Sequence, residues 1–130
     1  MNYALFNDLK PIDNRDFEVV ERKGIGHPDT LADGIAEKLS IEYSKYCLKK
    51  FGTILHHNFD KIMLIGGLVN TGFNKGKIIK PAKLIFNGRA SNSFKGKKIN
   101  ISKFENEIAL DYLKKVLPHF NTKRGLKNLF

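Results

Sequence analysis

One cysteine, Cys47, is all that this 130-residue chain contains. A single thiol closes no internal disulfide and builds no multi-cysteine zinc site. Long apolar runs are missing as well. The longest, residues 62–69, includes two glycines and is far too short to cross a bilayer. Residues 1–10 lack the basic start and apolar stretch of a secretory leader. No internal repeat, low-complexity tract or long Ser/Pro/Gly linker is visible. These absences leave the expectation of one soluble domain in a reducing, cytoplasmic setting, with no membrane partner. A 42% share of apolar and aromatic residues is enough for a hydrophobic core.

Acidic residues are scarce in the second part of the chain. The formal net charge is +10, from 23 Lys+Arg against 13 Asp+Glu. The first 42 residues carry five Lys+Arg and nine Asp+Glu, so the excess lies entirely downstream. A nucleic-acid partner is the first reading of such a balance. Arginine, the residue suited to bidentate readout, is nearly absent there, with only Arg89 and Arg124. Lys, Asn, Ile and Phe are abundant together, a bias that a genome rich in A and T produces without any binding role. The charge therefore weighs little towards nucleic acid.

The pattern of apolar residues predicts a strand, a helix, several strands and a second helix. Residues 17–22 (FEVVER) alternate like a short strand. A turn, Lys23-Gly24-Ile25-Gly26, follows. A helix is predicted from Pro28, with Leu31, Ile35, Leu39, Tyr43 and Tyr46 as its apolar stripe and Gly52 as its stop. Residues 61–65 read as a buried strand broken by Gly66-Gly67, residues 70–76 as a loop, and residues 77–86 as a strand with Pro81 at an edge or bulge. Residues 98–101 read as another short strand. Ser102 and Glu105 form a capping box for a second helix, with Phe104, Ile108, Tyr112 and Val116 as its buried stripe and Pro118 as its end. Residues 119–130 show no clear pattern. The expected class is α+β, a mixed or antiparallel sheet with helices packed on one face.

Chemistry concentrates in residues 20–37, VERKGIGHPDTLADGIAE. A helix start presents free N–H groups and the positive end of the helix dipole, which favour phosphates. Gly24 and Gly26 allow a ligand to approach the backbone. His27 can donate a hydrogen bond to a developing oxyanion. Asp29 offers a hard oxygen for Mg²⁺, and Lys23 adds positive charge. Read alone, the same pattern also fits a tight strand-to-helix connection with no ligand. It is no dinucleotide fingerprint, because Asp29 stands where the third glycine belongs. Neither Gly76-Lys77 nor Gly96-Lys97 has the glycine spacing or the Ser/Thr of a Walker loop.

These residues resemble the N-terminal signature of the archaeal-type S-adenosylmethionine synthetases, the methionine adenosyltransferases. The similarity continues through His56-His57-Asn58, residues 62–67 and residues 81–90, ending in Gly88-Arg89-Ala90. In order and spacing it covers about residues 16–125. The resemblance implies a transferase that joins L-methionine to ATP and releases phosphate and pyrophosphate. It implies His27 as the catalytic histidine on the leaving triphosphate and Asp29 as the Mg²⁺ ligand. Glu21, Lys23, Gly24, Gly26 and His27 would bind the nucleotide. K⁺ is implied as well, without a ligand placed in this sequence. It further implies a homodimer, or association with a complementary chain, and so an exposed apolar sheet face. Family enzymes are several-fold longer, so residues 1–130 are expected to form a single incomplete domain matching their N-terminal part, with standalone activity in question.

The sequence also departs from the pattern of the family it resembles. Leu68 follows the Gly-Gly pair where a polar residue is common, Lys80 precedes Pro81 where an acidic one is commoner, and Asn74-Lys75-Gly76 replaces a glycine-rich loop. A rival from another class is a non-catalytic basic module that binds nucleic acid or another acidic partner, and an inactive gene fragment is a third reading. Adjacent residues on a strand face opposite ways, so His56 and His57 are expected to be structural and to share no metal. Arg89 is read as an ion-pair partner or a phosphate contact, Cys47 as a packing residue, and Asp33 and Glu37 as a solvated helix surface beside Asp29. Gly34 marks close packing or close ligand approach.

Overall fold

A computed structural model describes residues 11–129. Helix α1 runs over Pro28–Phe51 and helix α2 over Ile101–Val116. Between them lie β1 (His57–Asn58), β2 (Ile62–Ile65), β3 (Leu68–Gly72), β4 (Lys75–Lys80), β5 (Ala82–Phe86), β6 (Arg89–Ala90), β7 (Ser93–Phe94) and β8 (Lys97–Lys98). A short helix α3 (Thr122–Gly125) and strand β9 (Leu126–Leu129) follow. The class is α+β, as expected.

Helix α1 forms because Leu31, Ile35, Leu39, Tyr43 and Cys47 recur at a four-residue interval, and all five are buried. The stripe continues into Cys47, a packing residue, while Tyr46 is half-buried. Gly52 ends the helix in the left-handed region (φ 72°), and its N–H bonds the Leu48 carbonyl at 3.0 Å. Helix α1 packs against α2 and β2. At Gly34 an added Cβ would stand 1.9 Å from the Tyr112 hydroxyl, so this glycine serves close helix packing.

The sheet beneath the helices has the order β2-β5-β9, with β2–β5 antiparallel and β5–β9 parallel. Ile62 pairs with Phe86 and Leu64 with Leu84. These four residues join the core against the helices, while Met63 and Ile65 point away and are exposed. Tyr43 sits at the centre, edge-on to His57, Phe59 and Phe104. Each such ring pair is worth about 0.5–1.5 kcal/mol beyond its buried area. The Tyr43 hydroxyl donates to the Ser91 carbonyl at 2.6 Å, and desolvation by burial, with Cys47 contributing, raises its pKa far above the ordinary tyrosine value. Among the described residues no helix is long and apolar enough to cross a membrane.

Several expectations are corrected. Residues 17–22 form no strand: Phe17 is 79% and Val19 86% exposed, and among the described residues no strand pairs with them. Alternation alone cannot satisfy backbone groups that lack a partner strand. Residues 70–76 are no loop but the tip of the β3–β4 hairpin, where Asn74 takes φ 56°. Residues 77–86 are two strands, because Pro81 has no N–H to donate and the chain changes sheet there. Residues 98–101 are divided between β8, which closes a hairpin with β7, and the start of α2. Asn100, not Ser102, caps α2, accepting the Lys103 N–H at 3.0 Å. The capping-box carboxylate, Glu105, is buried, together with Ala109 and Leu113, while Phe104, Ile108, Tyr112 and Val116 are half-buried flanks. The unpatterned C-terminal stretch contains α3 and β9. An exposed apolar surface is present on β2, β3 and β4, including Met63, Ile65, Leu68, Val69, Ile78 and Ile79.

Candidate functional site

The start of α1 is built by residues 23–29. The His27 N–H bonds the Gly24 carbonyl at 3.0 Å and closes the turn. His27 then holds an extended backbone (φ −65°, ψ 139°) and acts as the N-cap. Its ring Nδ1 accepts the backbone N–H of Asp29 at 3.1 Å, and its carbonyl accepts the Leu31 N–H at 2.9 Å. Pro28 occupies the first helical position, where the missing N–H costs nothing. A ring nitrogen that accepts a hydrogen bond carries no proton, so the neutral His27 ring keeps its proton on Nε2. The cap thereby fixes the tautomer and leaves Nε2–H as a donor on a partly exposed side chain.

Asp29 stands one residue beyond Pro28, in the first turn, and its carboxylate pairs with the Lys23 ammonium. That hydrogen bond, with the Lys23 charge next and His27 contributing least, holds the exposed Asp29 carboxyl below the usual carboxylate range. The Asp29 oxygens therefore stay ionised. The His27 Nδ1 lies 4.0 Å from Asp29 Oδ2. An added Cβ at Gly24 would meet nothing within 4 Å, and one at Gly26 only the Leu117 side chain at 3.5 Å, so the backbone of the turn is open to approach. Lys23, Gly24, Gly26, His27 and Asp29 thus come together. Glu21 does not join them: it is exposed, and no described hydrogen bond or ion pair links it to the turn.

Mg²⁺ usually takes one or two protein carboxylates, with phosphate oxygens and water completing its shell. An ionised, exposed Asp29 fits such a ligand. Among the described residues, no group of three or more His, Cys, Asp or Glu side chains is arranged to hold a metal by itself.

The two histidines of the 56–57 pair separate as expected. His57 Nδ1 lies 2.9 Å from the Leu55 carbonyl, which can only accept, so this nitrogen carries the proton. His57 Nε2 is 2.9 Å from Ser40 Oγ. Both ring nitrogens are engaged, and the ring serves the core, while His56 is exposed. Asp33 and Glu37 do more than face solvent. With Ser40, His57, Asn58 and Asp60 they line a recess of about 390 Å³ along α1. Arg89 is exposed and makes no ion pair among the described residues. It lines a second recess, of about 480 Å³, together with Glu105. Sequence reasoning placed Glu105 in a capping role on its spacing from Ser102, and no local signal reports its burial.

The arrangement is that of an α+β protein with a helix N-terminus open to anions, flanked by a cation and an ionised carboxylate. Comparison with known proteins narrows this class. The profile of the S-adenosylmethionine synthetase (AdoMet synthetase) family matches residues 6–128. An uncharacterized protein of Streptococcus pyogenes serotype M3 is 46% identical over 123 residues, covering 95% of this chain and 31% of its own length. A probable S-adenosylmethionine synthase of Aquifex aeolicus is 45% identical over 106 residues, 82% of this chain and 26% of its own. The S-adenosylmethionine synthase of Methanocaldococcus jannaschii is 42% identical over 125 residues, 92% and 31% respectively. The chain belongs to the S-adenosylmethionine synthetase family. It spans about three tenths of the length of these curated relatives.

Proposed function

We propose that residues 23–29 form the phosphate-binding turn of a methionine adenosyltransferase, acting on ATP and L-methionine. In that reaction the methionine sulfur attacks C5′ of ATP and the triphosphate leaves, to be hydrolysed to phosphate and pyrophosphate. The demand on the protein is to stabilise negative charge gathering on the leaving group. His27 carries this reading: its Nδ1 is committed to the Asp29 N–H, so its Nε2–H is free to donate to the leaving oxygen. The dipole and free N–H groups of α1 favour the same charge. Lys23 adds a cation, and Gly24 and Gly26 leave the backbone accessible. Asp29, kept ionised by Lys23, would hold Mg²⁺. When bound, Mg²⁺ would supply further charge neutralisation on the phosphates. Glu21, exposed just before the turn, would contribute a carboxylate to the nucleotide site, and K⁺ has no assigned ligand. A second chain, a copy or a complementary one, would cover the exposed apolar residues of β2, β3 and β4.

Calorimetry of Mg²⁺–ATP with the chain, beside a His27→Ala/Asp29→Ala double variant, tests the reading. Binding that disappears in the double variant is expected. A folded wild-type chain that binds no Mg²⁺–ATP would sink it.

A further inference from the structure

Residues 16–20 (DFEVV) alternate like a strand, yet among the described residues no strand and no backbone hydrogen bond joins them to another element. Their side chains are exposed, Phe17, Val19 and Val20 included. Apolar side chains in water beside unpaired backbone groups describe a strand that lacks a sheet. Strand β4 offers the converse. It pairs with β3 alone, so its other edge is open. Helix α3 comes near β4 at Ile78, but every residue of the strand stays exposed.

Charge selects what this edge can accept. From residue 61 to residue 104 the chain has no Asp or Glu, and β4 carries Lys75, Lys77 and Lys80. Two β4 edges meeting would set lysine against lysine, which is unfavourable. The edge therefore calls for an acidic strand, and residues 16–20 are one. Laid parallel to β4, Asp16 falls beside Lys75, Glu18 beside Lys77, Val19 beside Ile78 and Val20 beside Ile79. Phe17 falls beside Gly76, where no side chain competes for room. A slip of one residue either way sets Phe17 and a valine beside lysines, so the pattern fixes the register. We propose that residues 16–20 of one chain add as a parallel strand to the β4 edge of a second copy, which returns the same contact. The inference rests on the reading that a second chain covers β2, β3 and β4, and it names that chain and the segment that docks. It does not depend on the 23–29 turn.

The test is a charge swap read by sedimentation equilibrium of the purified chain. The wild type should form a dimer. Asp16→Lys/Glu18→Lys and Lys75→Glu/Lys77→Glu should each weaken that dimer at least about tenfold, because two ion pairs become like-charge pairs at both contacts. All four positions are exposed, so the fold should tolerate the changes. An equimolar mixture of the two variants should dimerise about as tightly as the wild type. In the mixed dimer each segment again faces opposite charge, whereas docking within one chain gains nothing from mixing. Failure of the mixture to recover would overturn the exchange between chains. Variants that each dimerise like the wild type would overturn the strand addition while leaving a second copy over β2, β3 and β4. A wild-type chain that stays monomeric would overturn both.

Discussion

His27 has two duties, which two substitutions separate. Its Nδ1 caps α1 through the Asp29 N–H, and its Nε2–H is the donor proposed for the leaving triphosphate. His27→Ala removes both. Loss of an N-cap side chain costs about 1 kcal/mol. Unfolding entropy near the melting point is about 2.1 cal/mol/K per residue, so this 130-residue chain should lose about 4 °C in Tm. His27→Asn restores a cap, because asparagine is among the best N-cap residues. It should melt within about 1 °C of the wild type, yet bind Mg²⁺–ATP as poorly as the alanine variant. Thermal melts by circular dichroism and calorimetric titration read the two quantities on the same samples. Equal melting of the Ala and Asn variants would show that the ring does not stabilise α1. Full nucleotide binding by His27→Asn would show that the imidazole is not the phosphate donor.

Other variants probe the scaffold. Gly67→Ala should destabilise by about 1–3 kcal/mol, read as a lower urea midpoint, because an added Cβ would stand 2.2 Å from the Lys80 carbonyl and 2.8 Å from the Ala82 nitrogen. Gly24→Ala, with open space around it, should leave that midpoint nearly unchanged. Tyr43→Phe removes the bond to the Ser91 carbonyl and should cost about 1–2 kcal/mol. Glu105 has a raised folded-state pKa, so its contribution is fully present in acid and is lost as pH rises through that value. Glu105→Gln should therefore raise Tm relative to the wild type at neutral pH, with the gain vanishing below the carboxylate range. A gain that persists unchanged in acid would refute the burial argument.

The helices and the capped turn were legible in the chain because their determinants lie within a few residues. Leu31, Ile35, Leu39 and Tyr43 announce α1 by spacing, Pro28 its first position and Gly52 its last. The approach of Lys23, His27 and Asp29 follows from the same local geometry, since a turn and one helical step bring them together. The order of blocks from Val20 to Ala90 was enough to point to the family.

Strands depend on partners far along the chain, and there the sequence spoke less plainly. Residues 17–22 have the alternation of a strand but no described neighbour to bond, whereas residues 126–129 have little alternation and pair with β5 some forty positions earlier. Asn100 and Ser102 are equally suited to cap α2 by residue type, and the tertiary structure gave the place to Asn100. Glu105 was read as the carboxylate of a capping box, and the packing of α2 buried it. Local sequence thus determined where the two long helices run and what chemistry the 23–29 turn offers, because capping and periodicity are short-range. Tertiary structure alone decided which strands pair, which carboxyl is buried and where the recesses lie, because those outcomes rest on contacts between residues distant in the chain.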